Sequence, residues 1–348
     1  MVKKRIGVAF GSRSKEYEVS LMSAAAVIKA ASELPEYEII PLGITPDGEW
    51  RIFKGSVDDI EADKWQAHSE HIEIGKLKEK IDLVLPILHG PYGEDGTVQG
   101  LFEMLDIPYG GCGVLASSVA MDKAVAKDVF KCAGISQCKY LFFREEEIIE
   151  MPEATEKKIV ENLNFPVFVK PANMGSSVGI TKVKSPRDLS IALKNALRYD
   201  RRIVVEEGVD CRELEVSVIG NTVDDMEVSA IGEILPAEEF YDYKAKYQAG
   251  GASKLMIPAE ISKEDEEEIK TLALKAFQTI DGQGFARIDF FKDKKLGTIH
   301  INEINTIPGF TKYSMMPLLW EASGVGFSEL VKRIVGYGYE RYNAKNRR

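Results

Sequence analysis

A chain of 348 residues has room for two or three domains, and 45% hydrophobic with 29% charged residues is the make-up of a globular protein that can bury its own core. Its 55 acidic against 45 basic side chains give a formal net charge of -10, which argues against a polyanion-wrapping surface but leaves room for local basic residues around a small phosphate. Cys112, Cys132, Cys138 and Cys211 form no CxxC and have no histidine at ligand spacing, so neither zinc nor a disulfide framework is expected. No signal-like segment precedes the first strand and no apolar run approaches the ~20 residues that span a bilayer, so a cytoplasmic protein with reduced thiols is expected.

Residues 5–10 read as a buried strand ending at Gly11, and an amphipathic helix with Val19, Met22, Ala26 and Ala30 on one face follows. A second strand is expected over 38–43. The near-continuous apolar run 81–89 suits a third, parallel strand covered on both faces. A helix from Thr97 to Leu105 and a closing segment at 107–110 complete a doubly wound α/β domain over residues 1–120. A helix over 121–133, an acidic connector over 144–156, strands at 166–170, 180–183 and 202–206, and a helix over 185–199 make a compact α+β unit spanning 121–213. The last region, 214–348, opens on a strand at 214–219 and carries a polar, Tyr-rich loop at 238–254. A helix over 263–280, strands at 285–291 and 298–303, and helices at 318–322 and 327–336 complete it.

Four constellations carry chemistry. Arg287 and Asp289 lie two apart on one expected strand, and Glu303 and Asn305 two apart on the next, so each pair faces one way. Hard oxygen donors grouped like this suit Mg²⁺, whereas any one of these residues alone would be an ordinary sheet-face charge. Lys170 at the end of an apolar strand leads into a small-residue loop, Ala172 to Gly179, whose backbone can approach phosphate oxygens. That loop is neither GxxxxGKS nor GxGxxG, which excludes a P-loop and a dinucleotide fingerprint. His89 opens a Gly-rich loop at a strand's C-terminal end, where open α/β sheets bind ligands. Glu18 falls near a helix start, where the macrodipole favours an anion and where a carboxylate can also hold a substrate ammonium.

The segments HGPYGEDGTVQG (89–100), MDK (121–123), VKPANMGSSVGI (169–180), FYDYKAKY (240–247) and ARIDFF with NEINTIPGFT (286–311) resemble D-alanine–D-alanine ligases, in order and spacing, from about residue 4 to 335. The resemblance implies a three-domain ATP-grasp architecture with an N-terminal Rossmann-like domain and ATP between the second and third parts. It implies that Lys123 and Lys170 contact the phosphates, that Ser176 and Ser177 lie in the loop closing over them, and that Glu206, Val209 and Glu213 surround adenine and ribose. Asp289, Glu303 and Asn305 would hold two Mg²⁺ (or Mn²⁺). Lys246 and Tyr247 would lie on a mobile loop meeting Glu18 and Ser176. Glu18 would take the first D-alanine's ammonium and His89 would lie near its carboxylate. Arg287 and the Gly309 N–H would form the oxyanion site, and Ser314 and Met315 would bind the second carboxylate.

The implied reaction makes D-alanyl-D-alanine for peptidoglycan precursors through a D-alanyl phosphate, with D-alanine and ATP as substrates and a homodimer as the assembly. Gly11-Ser12 stands where the family often has two glycines, and Tyr17 where it often has histidine. Ser314-Met315 and Lys246-Tyr247 resemble the dipeptide-forming members, while Glu16-Tyr17-Glu18-Val19-Ser20 also resembles D-serine-accepting ligases of vancomycin resistance. A D-serine or D-lactate acceptor is therefore the variant reading, since one or two pocket contacts can decide specificity. A silent nucleotide-binding module is the reading of another class, and loss of a metal ligand or of Arg287 would favour it.

Overall fold

The computed structural model describes residues 3–235 and 254–346. Its first sheet holds β1 (Lys4–Gly11), β2 (Tyr37–Ile44), β3 (Trp50–Phe53), β4 (Ser69–His71) and β5 (Leu83–Pro86), in the order β4-β3-β2-β1-β5. β1 pairs in parallel with both β2 and β5, and β3 and β4 extend the sheet antiparallel at one edge. The helix Tyr17–Ser32 covers β1 through Leu21, Ala24, Val27 and Ile28, which reach the core with Ile6, Val8 and Phe10. Met22 and Ala26, expected on that buried face, instead line the central cavity.

The strand expected over 81–89 is confined to β5. Beyond Pro86 the Ile87 N–H still donates to the Ala9 carbonyl (2.9 Å), but the Ile87 carbonyl accepts from Ser20 Oγ (2.5 Å) rather than continuing a ladder, and Gly90 then turns at φ +71. This early end leaves His89 in a loop at the edge of the sheet.

A second sheet joins β6 (Tyr140–Arg144), β7 (Val167–Pro171), β8 (Thr181–Val183) and β9 (Arg202–Glu207) in the antiparallel order β6-β9-β7-β8. The expected acidic connector is helical, as Glu145–Glu150 and Pro152–Asn162. Carboxylates in a first turn suit the positive end of the helix dipole, the Glu147 carboxylate accepts from Arg144 N–H (2.9 Å), and Pro152 occupies a helix start where its missing donor costs nothing.

The third sheet contains β10 (Cys211–Gly220), β11 (Glu227–Leu235), β12 (Lys254–Met256), β13 (Gly284–Asp293) and β14 (Ile299–Asn305), ordered β12-β11-β10-β13-β14 and antiparallel throughout. The helix Lys263–Thr279 packs Ile269, Ala273 and Phe277 on one side of it. Two further helices, Met315–Ala322 and Phe327–Lys345, follow β14. The last returns to the first sheet, where Leu330, Val331 and Ile334 share a core with Ile6, Val8 and Leu85. First and third sheets are thereby fused by packing, and the second borders the cavity between them.

Candidate active site

A cavity of about 1850 Å³ opens where the three sheets meet. One end of it is built by β7 and β9. Lys170, at the end of β7, places Nζ 2.5 Å from Glu206 Oε2, and Lys127 takes the other oxygen of the same carboxylate. Burial would push the Glu206 carboxyl up, but Lys127 and Lys170 outweigh it and hold the pKa down at about 2. Burial likewise works against the Lys170 ammonium, and Glu206 overrides it so that the pKa rises. Val209 and Glu213, beyond β9, line the same end.

Lys123 enters from another direction. Asp122 caps the helix Lys123–Cys132 by accepting from Val125 N–H (3.1 Å), which fixes Lys123 at its first turn. Its Nζ donates to the Met174 carbonyl (2.7 Å) and stands 3.8 Å from Glu303 Oε2, so one ammonium spans the Gly/Ser loop and the third sheet. In that loop Ser176 and Ser177 hold φ +47 and +59, turning the backbone towards the cavity they line.

Register pairs Asp289 with Glu303 and Arg287 with Asn305 across β13 and β14, so the four expected residues do share one sheet face. Arg287 donates through Nε and Nη2 to both Asp289 oxygens (2.7 and 2.8 Å), and Nε also lies 2.9 Å from Glu215 Oε2. Asn305 Nδ2 donates to Asp289 Oδ2 (3.0 Å). Glu303, Asn305 and Arg287 line the cavity, while Asp289 sits just behind them. Two carboxylates and an amide oxygen are the donor types a divalent magnesium-like cation accepts, so the residues fit that ion. Among the described residues, no three histidine, cysteine, aspartate or glutamate side chains group by themselves as a metal cluster.

The opposite wall comes from the first sheet. His89 is buried, with Nδ1 2.8 Å from the Ile307 carbonyl and Nε2 2.9 Å from Ser23 Oγ. Burial opposes its protonation, but Glu94, Glu16 and the Ile307 carbonyl prevail and raise the pKa. Glu94 Oε1 lies 3.9 Å from His89 Nδ1, and burial together with Glu16 and Glu303 pushes the Glu94 carboxyl to about 7 against the pull of His89. Gly309, Ser314 and Met315 line the adjoining turn. Ser314 Oγ accepts from Thr311 N–H (3.0 Å), and Ser23 Oγ accepts from Phe310 N–H (3.3 Å), tying this turn to the first helix.

Glu18 does not reach the site. It is exposed on the first turn of its helix and lies outside the cavity lining. Glu16, just ahead of the helix, occupies the place expected of it. Its Oε2 accepts from Ser176 Oγ (2.5 Å), and a Cβ added at Gly90 or Gly175 would come within 2.5 Å of its Oε1. The physical reason is geometric: with ~3.6 residues per turn, a residue two positions on points to the other side of the helix. Glu94, Lys127 and Glu215 are further site neighbours that sequence reasoning missed. Glu94 alone had a cue, its place in the Gly-rich loop after His89. Lys246 and Tyr247 lie outside the described residues.

Known proteins resemble this chain along nearly its full length. The family described as "D-ala D-ala ligase N-terminus" matches residues 5–112, and "D-ala D-ala ligase C-terminus" matches 129–336. The D-alanine–D-alanine ligase of Thermoanaerobacter sp. (strain X514) is 47% identical, covering 100% of this chain and 99% of that protein. That of Acetivibrio thermocellus is 44% identical over 98% of this chain and 97% of its own. Among solved structures, the VanG D-Ala:D-Ser ligase of Enterococcus faecalis superposes with a TM-score of 0.87 at 37% identity, over 97% and 99% of the two chains. The D-alanine-D-alanine ligase of Coxiella burnetii gives 0.86 at 28%, over 100% and 97%. The expected ATP-grasp architecture is therefore the observed one, and the chain belongs to the D-alanine–D-alanine ligase family.

Proposed function

We propose that the protein joins two D-alanines into D-alanyl-D-alanine at the expense of ATP, for peptidoglycan precursor synthesis. The observation that carries this reading is the position of Lys123, which reaches the Gly/Ser loop and stands 3.8 Å from Glu303 on the oxygen-rich strand pair. A triphosphate bound there would meet Lys170 and Lys123 on one side and Glu303 with its neighbours on the other. Ser176 and Ser177 would close over it, with Val209, Glu213 and Glu206 around the nucleoside. In the first step a carboxylate oxygen of D-alanine attacks the γ-phosphorus, the bond to the β-phosphate oxygen breaks, and ADP leaves. In the second, the amine of another D-alanine attacks the acyl carbon, the carbon–oxygen bond to phosphate breaks, and the amine's proton is lost to solvent or phosphate.

Each wall has a part in this scheme. Glu16 takes the first ammonium in place of Glu18, and His89, held by Ile307 and Ser23, orients the neighbouring carboxylate. Arg287 and the Gly309 N–H face the developing oxyanion, where fixed donors in a dry site act strongly. Ser314 and Met315 border the second substrate. Asp289, Glu303 and Asn305 would hold two Mg²⁺ (or Mn²⁺), which supply charge neutralisation for phosphoryl transfer. Lys246, Tyr247 and the rest of loop 238–254 would exclude water from the acyl phosphate. The parts 1–120, 121–213 and 214–348 would then serve as the amino-acid domain and the two halves of the nucleotide grip. A homodimer working in the cytoplasm completes the reading, in keeping with described helices of which none is long and apolar enough to cross a membrane.

D-serine as acceptor is the second reading, favoured by the 37% identity to a D-Ala:D-Ser ligase. Retention of Arg287, Asp289, Glu303 and Asn305 weighs against a silent module. The test is phosphate release from Mg-ATP with D-alanine, with mass spectrometry of products when D-serine and D-lactate compete. Dominant D-alanyl-D-alanine is expected. Mixed products would move the protein to the variant acceptor, and no D-alanine-dependent phosphate release would sink the activity.

A further inference from the structure

Behind the nucleotide end of the cavity, Lys127 sits on the helix Lys123–Cys132 with its ammonium buried. It does not line the cavity, yet it holds Glu206 Oε1 while Lys170 holds Oε2. Two cations thus share one buried anion. An anion entering the cavity can reach Lys170 but not Lys127, because only Lys170 lies on the wall. If Lys170 turns to such an anion, Glu206 keeps a partner only through Lys127, and a buried carboxylate stripped of partners is strongly unfavourable. Lys127 is itself held: its carbonyl accepts from Gln137 Nε2 (2.9 Å), and its ammonium lies 5.2 Å from the centre of the Tyr140 ring.

The geometry points to Lys127 as a positioning residue that keeps Glu206 charged and in place, so that Lys170 can be handed to a nucleotide phosphate. This rests on the reading of the cavity as an ATP site. The depressed Glu206 pKa, at about 2, agrees with a carboxylate that stays ionised beside both ammoniums. Without Lys127, Glu206 would have only Lys170 and would hold it back from the phosphate.

The test is a calorimetric titration of the full-length enzyme with Mg-ATP, alongside steady-state kinetics. Lys127→Met is expected to weaken ATP binding roughly tenfold and raise the KM for ATP in step, with kcat at saturation changed less than about threefold. Lys127→Arg should restore binding to within about threefold. The discriminating measurement is the same substitution made in Glu206→Gln. There it should cost less than about twofold, since no carboxylate remains to retain Lys170. An equal loss on both backgrounds would mean a structural role only and would overturn the inference, as would Lys127→Met binding ATP like the wild type. Should Lys127→Met not fold, Lys127→Gln takes its place under the same outcomes. Inorganic triphosphate with Mg²⁺ gives an independent check, because it has no base to touch Glu206. Glu206→Gln should bind it more tightly than the wild type does, and weaker binding would count against the shared-lysine arrangement. A wild type that binds no Mg-ATP at all would instead remove the ATP reading itself.

Discussion

Glu16 and Glu18 differ by two positions and by everything that surrounds them. Glu16 is buried against Gly90 and Gly175 and accepts from Ser176, while Glu18 faces solvent. Glu16→Gln is therefore expected to raise the KM for the first D-alanine and lower kcat/KM by roughly 10- to 100-fold, through loss of the charge proposed to meet its ammonium. Glu18→Gln should change neither activity nor stability beyond ~0.5 kcal/mol. Steady-state kinetics of the two variants side by side decide the matter, and a larger effect at Glu18 would reverse the assignment. Glu94 yields a pH prediction. Its carboxyl is lifted from the ordinary 4.5 to about 7, so the folded protein binds a proton that the unfolded chain has already lost. The stabilisation is complete below 4.5 and disappears as pH rises through about 7. Glu94→Gln should flatten the pH dependence of stability across that window, read by urea unfolding at stepped pH, and an unchanged slope would clear Glu94 of the effect.

At the scale of elements, β13 and β14 bring the proposed cation ligands together because period-two alternation and antiparallel register act together. Alternation was readable from RID and NEIN, and the register Asp289 to Glu303 completed it. Asp289→Asn keeps the side-chain shape but removes a charge that a divalent cation needs. Turnover should drop by roughly 100-fold or more while the thermal midpoint moves by only a few degrees, since carboxamide and carboxylate pack alike. Comparable losses in both would mean that Asp289 serves only as Arg287's structural partner. Legibility in the sequence followed the same physics. Elements with strong periodicity, β1, β2, β13 and the helix Lys263–Thr279, stand within a residue or two of their expected limits. The short strands β3 and β4 are not legible because four- and three-residue segments carry almost no pattern. The acidic segment after β6, expected as a connector, is helical because three carboxylates suit a helix start. In the site, clustered motifs located the cavity, but which of two glutamates entered it depended on where the helix began. Lys127 was invisible because its partner Glu206 lies 79 positions away.

Across the whole molecule, the three sheets are not independent. The helix Phe327–Lys345 buries Leu330, Val331, Ile334 and Val335 in the core under β1 and β5, beside Phe285, Phe310 and Trp320. A buried aliphatic truncated here removes contacts from two sheets together. Ile334→Ala should cost about 2–5 kcal/mol, as large-to-small changes in well-packed cores do. Denaturant unfolding should show one shifted transition for the first and third sheets. A separate early transition confined to the C-terminal helix would mean that this helix is an appendage and not part of the shared core.

That same helix sets the order in which the protein can be completed. Lys4 at the start of β1 places its ammonium 4.3 Å from the centre of the Tyr339 ring, so nearly the first and nearly the last residues are neighbours. During synthesis the helix Tyr17–Ser32 can cover Ile6 and Val8 early, whereas the rest of that shared core lacks Leu330, Val331 and Ile334 until residues far along the chain have been made. Contacts this distant in sequence form late and leave sticky surface exposed meanwhile. Until the helix Phe327–Lys345 arrives, the part of that core left open, Leu85 included, is shielded by transient collapse or by a chaperone.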